Sequence, residues 1–185
     1  MKAIEKSRQL FCTPSHITKA LLKREAFPGT LMEPAAGRGD IVKVLRECGY
    51  GEIQASDIED WGCSCQIEDF LSSDRYFECL ITNPPFDLKW EFLVQAKRLA
   101  RHKFALLLPL ESEYTKTFVH NHQSDTAFPW KALYSFLEPI KWLNKKDAGN
   151  KIKFGWYVFE RGYEGPVLRE KIGFSRQTDN LGQSQ

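Results

Sequence analysis

The sequence predicts an α/β protein built on an open, mostly parallel sheet. The first sign is a strand, small-residue loop and helix in succession: Thr30-Leu31-Met32-Glu33, residues 34–40, then Ile41, Val44, Leu45 and Cys48 at i, i+3, i+4 and i+7. The second is that four predicted strands each run into a polar cluster, at Glu33, Asp57, Asp69 and Asn83. In an open α/β sheet the carboxyl edge of the strands is where ligands bind. The third is bulk: 185 residues, 42% hydrophobic and 27% charged, suffice for one folded domain with a substantial core.

Taken in order, Thr13 is a candidate N-cap and Pro14 a first-turn residue for a helix carrying Ile17, Ala20 and Leu21. Phe27-Pro28-Gly29 stops it. The strand ending at Glu33 is followed by Pro34-Ala35-Ala36-Gly37-Arg38-Gly39-Asp40, where the two glycines remove Cβ atoms that would obstruct a ligand. A lone Gly-x-Gly is weak evidence, but Glu33 at the strand end favours a cationic or amino-bearing ligand over a phosphate. A second strand, residues 52–58, ends in Asp57, 20 residues past Gly37, the separation at which an acid reaches ribose hydroxyls. A short third strand leads to Asp69-Phe70, and a fourth, residues 76–82, delivers Asn83-Pro84-Pro85-Phe86. Asn83 offers an acceptor oxygen, the prolines fix the backbone and leave carbonyl oxygens unclaimed by local turns, and Phe86 offers a stacking face. Asn and Pro are also ordinary turn residues, so this stretch alone reads equally as a strand-ending turn.

Beyond it come a helix through Leu93, Ala96, Leu99 and Ala100, and a fifth strand over residues 102–110. Residues 111–130 read as helix then loop. Residues 140–143 and 152–160 read as two strands joined by a polar hairpin loop. One domain is expected over residues 1–173, with 174–185 a loose tail.

The longest apolar run, residues 104–110, is far short of the roughly 20 residues that span a bilayer. The first eight residues are not followed by an apolar stretch of the secretory kind, so no membrane partner and a cytoplasmic location are expected. Five cysteines without a Cys-x-x-Cys pair indicate neither a disulfide framework nor a zinc ribbon. Cys63, Cys65, His120 and His122 read as loop and surface residues, and no metal is expected. A formal charge of +2 leaves the question of a nucleic-acid partner to local patches.

Together these motifs resemble the class I S-adenosylmethionine-dependent methyltransferases, in particular the amino-methylating group with an Asn/Asp-Pro-Pro-Phe/Tyr motif. The resemblance runs from Thr13-Pro14 through Glu33-Pro34-Ala35-Ala36-Gly37-Arg38-Gly39, Asp57 and Asp69-Phe70 to Asn83-Pro84-Pro85-Phe86. It implies a Rossmann-like, seven-stranded sheet of order 3-2-1-4-5-7-6, strand seven antiparallel, with helices on both faces. It also implies S-adenosylmethionine as cofactor: Gly37 and Gly39 beside it with Pro34 and Ala35, Glu33 holding the methionine ammonium, Asp57 the ribose hydroxyls, Ile58 and Phe70 the adenine ring, Asp69 the adenine amino group, and Thr13-Pro14 closing over the methionine end. The target amine would be held by Asn83 and Pro84 oxygens, with its ring stacked on Phe86.

The resemblance implies N6-adenine methylation of nucleic acid, DNA favoured over RNA. Small stand-alone adenine methyltransferases of phage and mobile elements look most similar. Glutamine methylation in a protein is the alternative, disfavoured because fewer than 35 residues precede Glu33 and because Phe86 stands where that subfamily usually has Tyr. A non-catalytic cofactor-binding subunit is another alternative, disfavoured by the intact motif. With little chain left for target recognition, sequence specificity would be short, relaxed, or lent by a protein partner or self-association. Lys145, Lys146, Lys151 and Lys153 are candidate phosphate contacts, and Phe154 or Trp156 a second cover for the base.

Overall fold

The computed structural model describes residues 10–143 and 151–173. Alternation of short strands and amphipathic helices produces one eight-stranded sheet of β1 (Leu31–Glu33), β2 (Ile53–Asp57), β3 (Gln66–Ile67), β4 (Phe77–Thr82), β5 (Ala100–Pro109), β6 (Trp130–Phe136), β7 (Phe154–Glu160) and β8 (Leu168–Ile172). Its order is β3-β2-β1-β4-β5-β7-β6-β8. β7 runs antiparallel to β5 and β6, and every other pairing is parallel. The expected 3-2-1-4-5-7-6 order is present, but there are eight strands rather than seven, because β8 adds to the outer edge of β6.

Both faces of the sheet are covered, which is why its strands read as continuous apolar runs. Along β5, Ala105 and Leu107 point with Cys79, Ile81, Trp156 and Val158 toward α1 (Ser15–Leu22) and α2 (Asp40–Glu47). Phe104, Leu106 and Leu108 point with Leu80, Tyr157 and Phe159 toward α3 (Lys89–Leu99) and the short α4 (Lys116–Asn121). The period-two alternation of each strand thus feeds two separate cores. Helix α2 presents Ile41, Val44 and Leu45 to the sheet, as the spacing predicts, and Gly49 follows it at φ 90°.

The chain after β5 departs from the sequence reading. The partner of β7 is not residues 140–143 but β6, which begins where the stretch read as loop ends and runs through residues given no element. Ile140 and Trp142 are buried while Lys141 and Leu143 are exposed, so the alternation reflects real burial, but the two buried side chains pack into the core on the α1 and α2 face without joining a ladder. β6 carries Lys131 as its second residue, which masks its apolar pattern. That amine is neutralised by Glu25 Oε2 at 2.9 Å and Glu160 Oε2 at 2.7 Å, which lets a cation sit within a buried strand. β8 has little apolar face to give it away, with Leu168 half exposed and only Ile172 buried.

The same acids receive Lys103, which is 8% exposed: its Nζ lies 2.7 Å from Glu25 Oε2 and 2.8 Å from Glu160 Oε2. Tyr134 donates to Glu25 Oε1 at 2.8 Å. Burial alone would raise the Glu25 carboxyl, but Lys103, Lys131 and Tyr134 outweigh it and hold it below its usual range. This network lies near the start of β5 and the end of β7, at the end of the sheet opposite the Glu33 and Asn83 strand ends.

Candidate active site

Parallel pairing of β1 with β2 and β4 brings the loops after Glu33, Asp57 and Thr82 to one carboxyl edge. A pocket opens there. Its lining includes Thr13, Pro34, Ala35, Gly37, Asp57, Ile58, Asp69, Phe70, Asn83 and Pro85, all singled out in the sequence. Gly37 and Gly39 have φ of 53° and 81°, a left-handed conformation that side chains disfavour, and a Cβ on Gly37 would stand 2.8 Å from Leu10 Cδ1. That tight turn is what carries the chain from β1 into α2.

Glu33 is completely buried and is not itself a lining residue. Its Oε1 accepts from the Ala35 N–H at 3.1 Å and from Thr82 Oγ1 at 2.6 Å, whereas Oε2 is buried without a partner. Burial pushes its pKa up to about 8, against the two hydrogen bonds and with a smaller push from Asp57. Such a carboxyl is poised to ionise when a cation arrives.

Asp57 braces the pocket wall. Its Oδ2 accepts from the Gly37 N–H at 2.9 Å, and Oδ1 from the Glu59 N–H and Trp61 Nε1, both at 3.1 Å. Of four lone-pair positions three are engaged, so one acceptor position remains for a hydroxyl rather than the two that a ribose diol would use. Asp69 caps the 3₁₀ turn Phe70–Ser72 through the Leu71 N–H and Ser72 Oγ. Ile58 is 41% exposed and free to pack on a ligand, while Phe70 is a core ring against Phe77 and Phe92 that also reaches the pocket.

The Asn83 motif sits at the other end of the pocket. The Asn83 Nδ2 donates to Thr13 Oγ1 at 3.1 Å and to the Phe11 carbonyl at 3.4 Å, and its Oδ1 is buried without a partner. Thr13 therefore does not cap α1, whose N-cap is Pro14 with no side-chain cap. Pro84 is buried. The Pro85 carbonyl accepts from the Leu88 N–H at 3.0 Å, so it is engaged in a local turn, contrary to the sequence reading of free carbonyls at both prolines. Phe86 is half-buried and enclosed by aromatic rings, with centroids 4.5 Å from Phe11, 5.2 Å from Phe154 and 6.1 Å from Trp142. Its stacking face is thus covered by the protein's own ring.

The remaining candidates separate. Phe154 joins the Phe86 cluster, but Trp156 is fully buried and donates its indole N–H to the Ile17 carbonyl at 2.9 Å, so it belongs to the packing of α1. Lys151 and Lys153 are exposed just before β7, at the carboxyl edge, and Lys145 and Lys146 lie outside the described residues, as does the 174–185 tail. Cys63 and Cys65 are joined in a disulfide beside Gly39, which the cysteine pattern did not anticipate. His122 is no surface residue: it is 4% exposed and stacks on Trp90, and burial, aided by Lys97, lowers its pKa to about 4. Sequence reasoning missed Leu10, Phe11, Arg38, Asp40, Glu59, Trp61 and Glu68 as lining residues. The apolar run Leu10-Phe11-Cys12 immediately before Thr13-Pro14 was the available signal.

Strand order with an antiparallel β7, helices on both faces and the pocket at the carboxyl edge of β1, β2 and β4 together define a Rossmann-like methyltransferase fold. Solved structures agree. A candidate RNA methyltransferase from Pyrococcus horikoshii superposes with a TM-score of 0.67 at 15% identity, over 87% of this chain and 92% of the other. The M protein of the type I restriction enzyme EcoKI superposes with a TM-score of 0.62 at 12% identity, over 94% and 51%. The magnesium protoporphyrin IX methyltransferase of Synechocystis PCC 6803, with bound SAH, gives 0.54 at 11% identity, over 79% and 80%. The chain spans about half the length of the type I modification subunits it resembles. No family model matches the sequence, and no curated protein does either.

Proposed function

We propose that this protein is an S-adenosylmethionine-dependent methyltransferase that methylates adenine N6 in nucleic acid, DNA favoured. The observation that carries the reading is Asn83 Oδ1, a buried acceptor without a partner at the wall of a carboxylate-rich pocket. An orphaned buried acceptor costs roughly 1–3 kcal/mol, which an incoming N–H relieves.

The cofactor fits the residues present. Asp40, Asp57, Glu59, Glu68 and Asp69 line the pocket against the single guanidinium of Arg38, a charge balance suited to a cation. Gly37 and Pro34-Ala35 would lie along it, with Gly39 shaping the turn, Ile58 and Phe70 beside its base and Asp69 at its amino group. Glu33 Oε2 is the buried acceptor available to its ammonium, directly or through water. S-adenosylmethionine supplies an electrophilic methyl group on sulfur.

The residues then act on the amine. The exocyclic nitrogen of adenine is a poor nucleophile because its lone pair is delocalised into the ring. When Asn83 Oδ1 and the Pro84 carbonyl accept its two N–H groups, the nitrogen turns tetrahedral and its lone pair faces the donor. The N–C bond would form as the methyl–sulfur bond breaks, and the proton that the methylated nitrogen sheds would pass to solvent, so positioning and fixed dipoles carry the rate without a strong base. Phe86 would hold the base, an interaction worth roughly 1–3 kcal/mol. A base between Phe86 and Phe11 needs about 7 Å, twice the van der Waals contact distance, so Phe11, now at 4.5 Å, moves aside.

Exposed Lys151 and Lys153 at the same edge support a phosphate backbone, and likeness to type I modification subunits supports DNA. Likeness to a candidate RNA methyltransferase over 92% of that chain favours RNA as the second reading. Labelled methyl transfer offered duplex DNA, single-stranded DNA, structured RNA and protein, followed by nucleoside analysis, tests the proposal. N6-methyladenine in DNA is the expected product. Label confined to protein, or no transfer with cofactor bound, contradicts it.

A further inference from the structure

We infer that Thr13 is a positioning residue that, together with the Phe11 carbonyl, fixes the Asn83 amide so that its oxygen, not its nitrogen, faces the substrate. The role rests on the methyl-transfer reading of the site. An amide has two nearly isosteric ends, and only the oxygen accepts a substrate N–H; turned over, the amide would present a donor to a donor. Nothing in Asn83 itself selects between them, and the selection comes from 70 residues earlier in the chain. Thr13 is 4% exposed, and its Oγ1 accepts from Nδ2 at 3.1 Å; the Phe11 carbonyl, a pure acceptor, stands 3.4 Å from the same nitrogen. The reversed amide would set Oδ1 against that carbonyl oxygen. The carbonyl therefore selects which end of the amide turns toward it, while the hydroxyl, able to pair with either end and closer at 3.1 Å, supplies most of the hold.

This differs from closing over the cofactor, the role that the Thr13-Pro14 resemblance implies. A contact to cofactor lost from Thr13 weakens cofactor binding; a lost hold on Asn83 lowers turnover with cofactor saturating.

The test uses the full chain with Thr13→Val, which keeps shape and removes the hydroxyl, and Thr13→Ser, which keeps the hydroxyl. First, the Asn83 side-chain NH₂ resonances, assigned by their loss in Asn83→Ala, are followed in the protein without substrate. Thr13→Val should shift them and speed their hydrogen exchange at least tenfold, with Thr13→Ser close to the parent. Second, Thr13→Val should lower kcat at least tenfold, with KM for the nucleic acid and S-adenosylhomocysteine affinity within about threefold, and Thr13→Ser should restore kcat. Unmoved amide signals, an unchanged kcat, or a loss confined to cofactor affinity each overturn the inference. If the parent protein transfers no methyl group, the methylation reading fails, and the amide signals alone then decide whether Thr13 holds Asn83.

Discussion

Thr82 Oγ1 lies 2.6 Å from Glu33 Oε1, tying the end of β4 to the end of β1 beneath the pocket. That bond leaves Glu33 Oε2 buried and unpartnered, in a carboxyl whose pKa is raised to about 8. A carboxyl raised from 4.5 to about 8 on folding binds more protons in the folded state between those values. Its stabilising effect is present below pH 4.5 and lost as pH rises through 8. Glu33→Gln, measured by denaturant unfolding at pH 6 and pH 9, should therefore abolish part of the parent's loss of stability between those pH values. An identical pH dependence in parent and variant contradicts the buried, protonated state.

Asp57 ties Gly37 to Trp61 across the mouth of the same pocket. Hydrogen bonds to a charged group are worth about 1.5–3 kcal/mol each. Asp57→Ala should weaken S-adenosylhomocysteine binding by one to two orders of magnitude in calorimetry while leaving the sheet folded. Unchanged affinity would mean the loop keeps its shape without the carboxylate.

The opposite end of the sheet governs stability rather than chemistry. Lys103→Met leaves Glu25 and Glu160 short of a buried partner and should cost about 3 kcal/mol, within the range for breaking a buried ion pair. Glu25 and Glu160 are both held below 4.5 by Lys103 and Lys131 against the opposing pull of burial. Carboxyls lowered on folding stabilise above their unfolded value, so this contribution is lost as pH falls below 4.5. His122, lowered from 6.5 to about 4, adds a further loss as pH falls through that interval, because the unfolded ring binds the proton first. Between pH 6.5 and pH 4, thermal unfolding should show His122→Phe losing less stability than the parent, a difference between the two proteins that stands apart from the opposing gain from Glu33 over the same interval.

Lys151 and Lys153 are exposed at the carboxyl edge of the sheet, where the proposed substrate would lie. Their double replacement by Glu should weaken binding to nucleic acids of any sequence and reduce the slope of log K against log salt by one to two, as expected for phosphate contacts. An unchanged slope places the backbone elsewhere.

What the sequence made legible was what local pattern controls. Residues 30–49 show it best: strand, glycine turn and amphipathic helix all carry their own period and punctuation, and they formed as read. The acids at strand ends were legible because chain order fixes which edge a parallel strand reaches. What stayed hidden depended on distant partners. Lys131 interrupts the apolar pattern of β6 until Glu25 and Glu160 neutralise it, Ile140 and Trp142 alternate like a strand yet find no ladder, and β8 pairs along the edge that β6 offers. Thr13 looked like a helix cap by its neighbours, and its hydroxyl went to Asn83 instead. Phe11 covering Phe86 is likewise a contact across 75 residues that no local pattern encodes.

In the proposed reaction Asn83 accepts the target amine, and Asn83→Ala tests that role most directly. Methyl transfer to adenine by the variant, at saturating cofactor, should fall by at least about a hundredfold, the scale for removing one preorganised transition-state partner, with S-adenosylhomocysteine affinity within threefold of the parent. Transfer that persists near the parent rate would contradict the account.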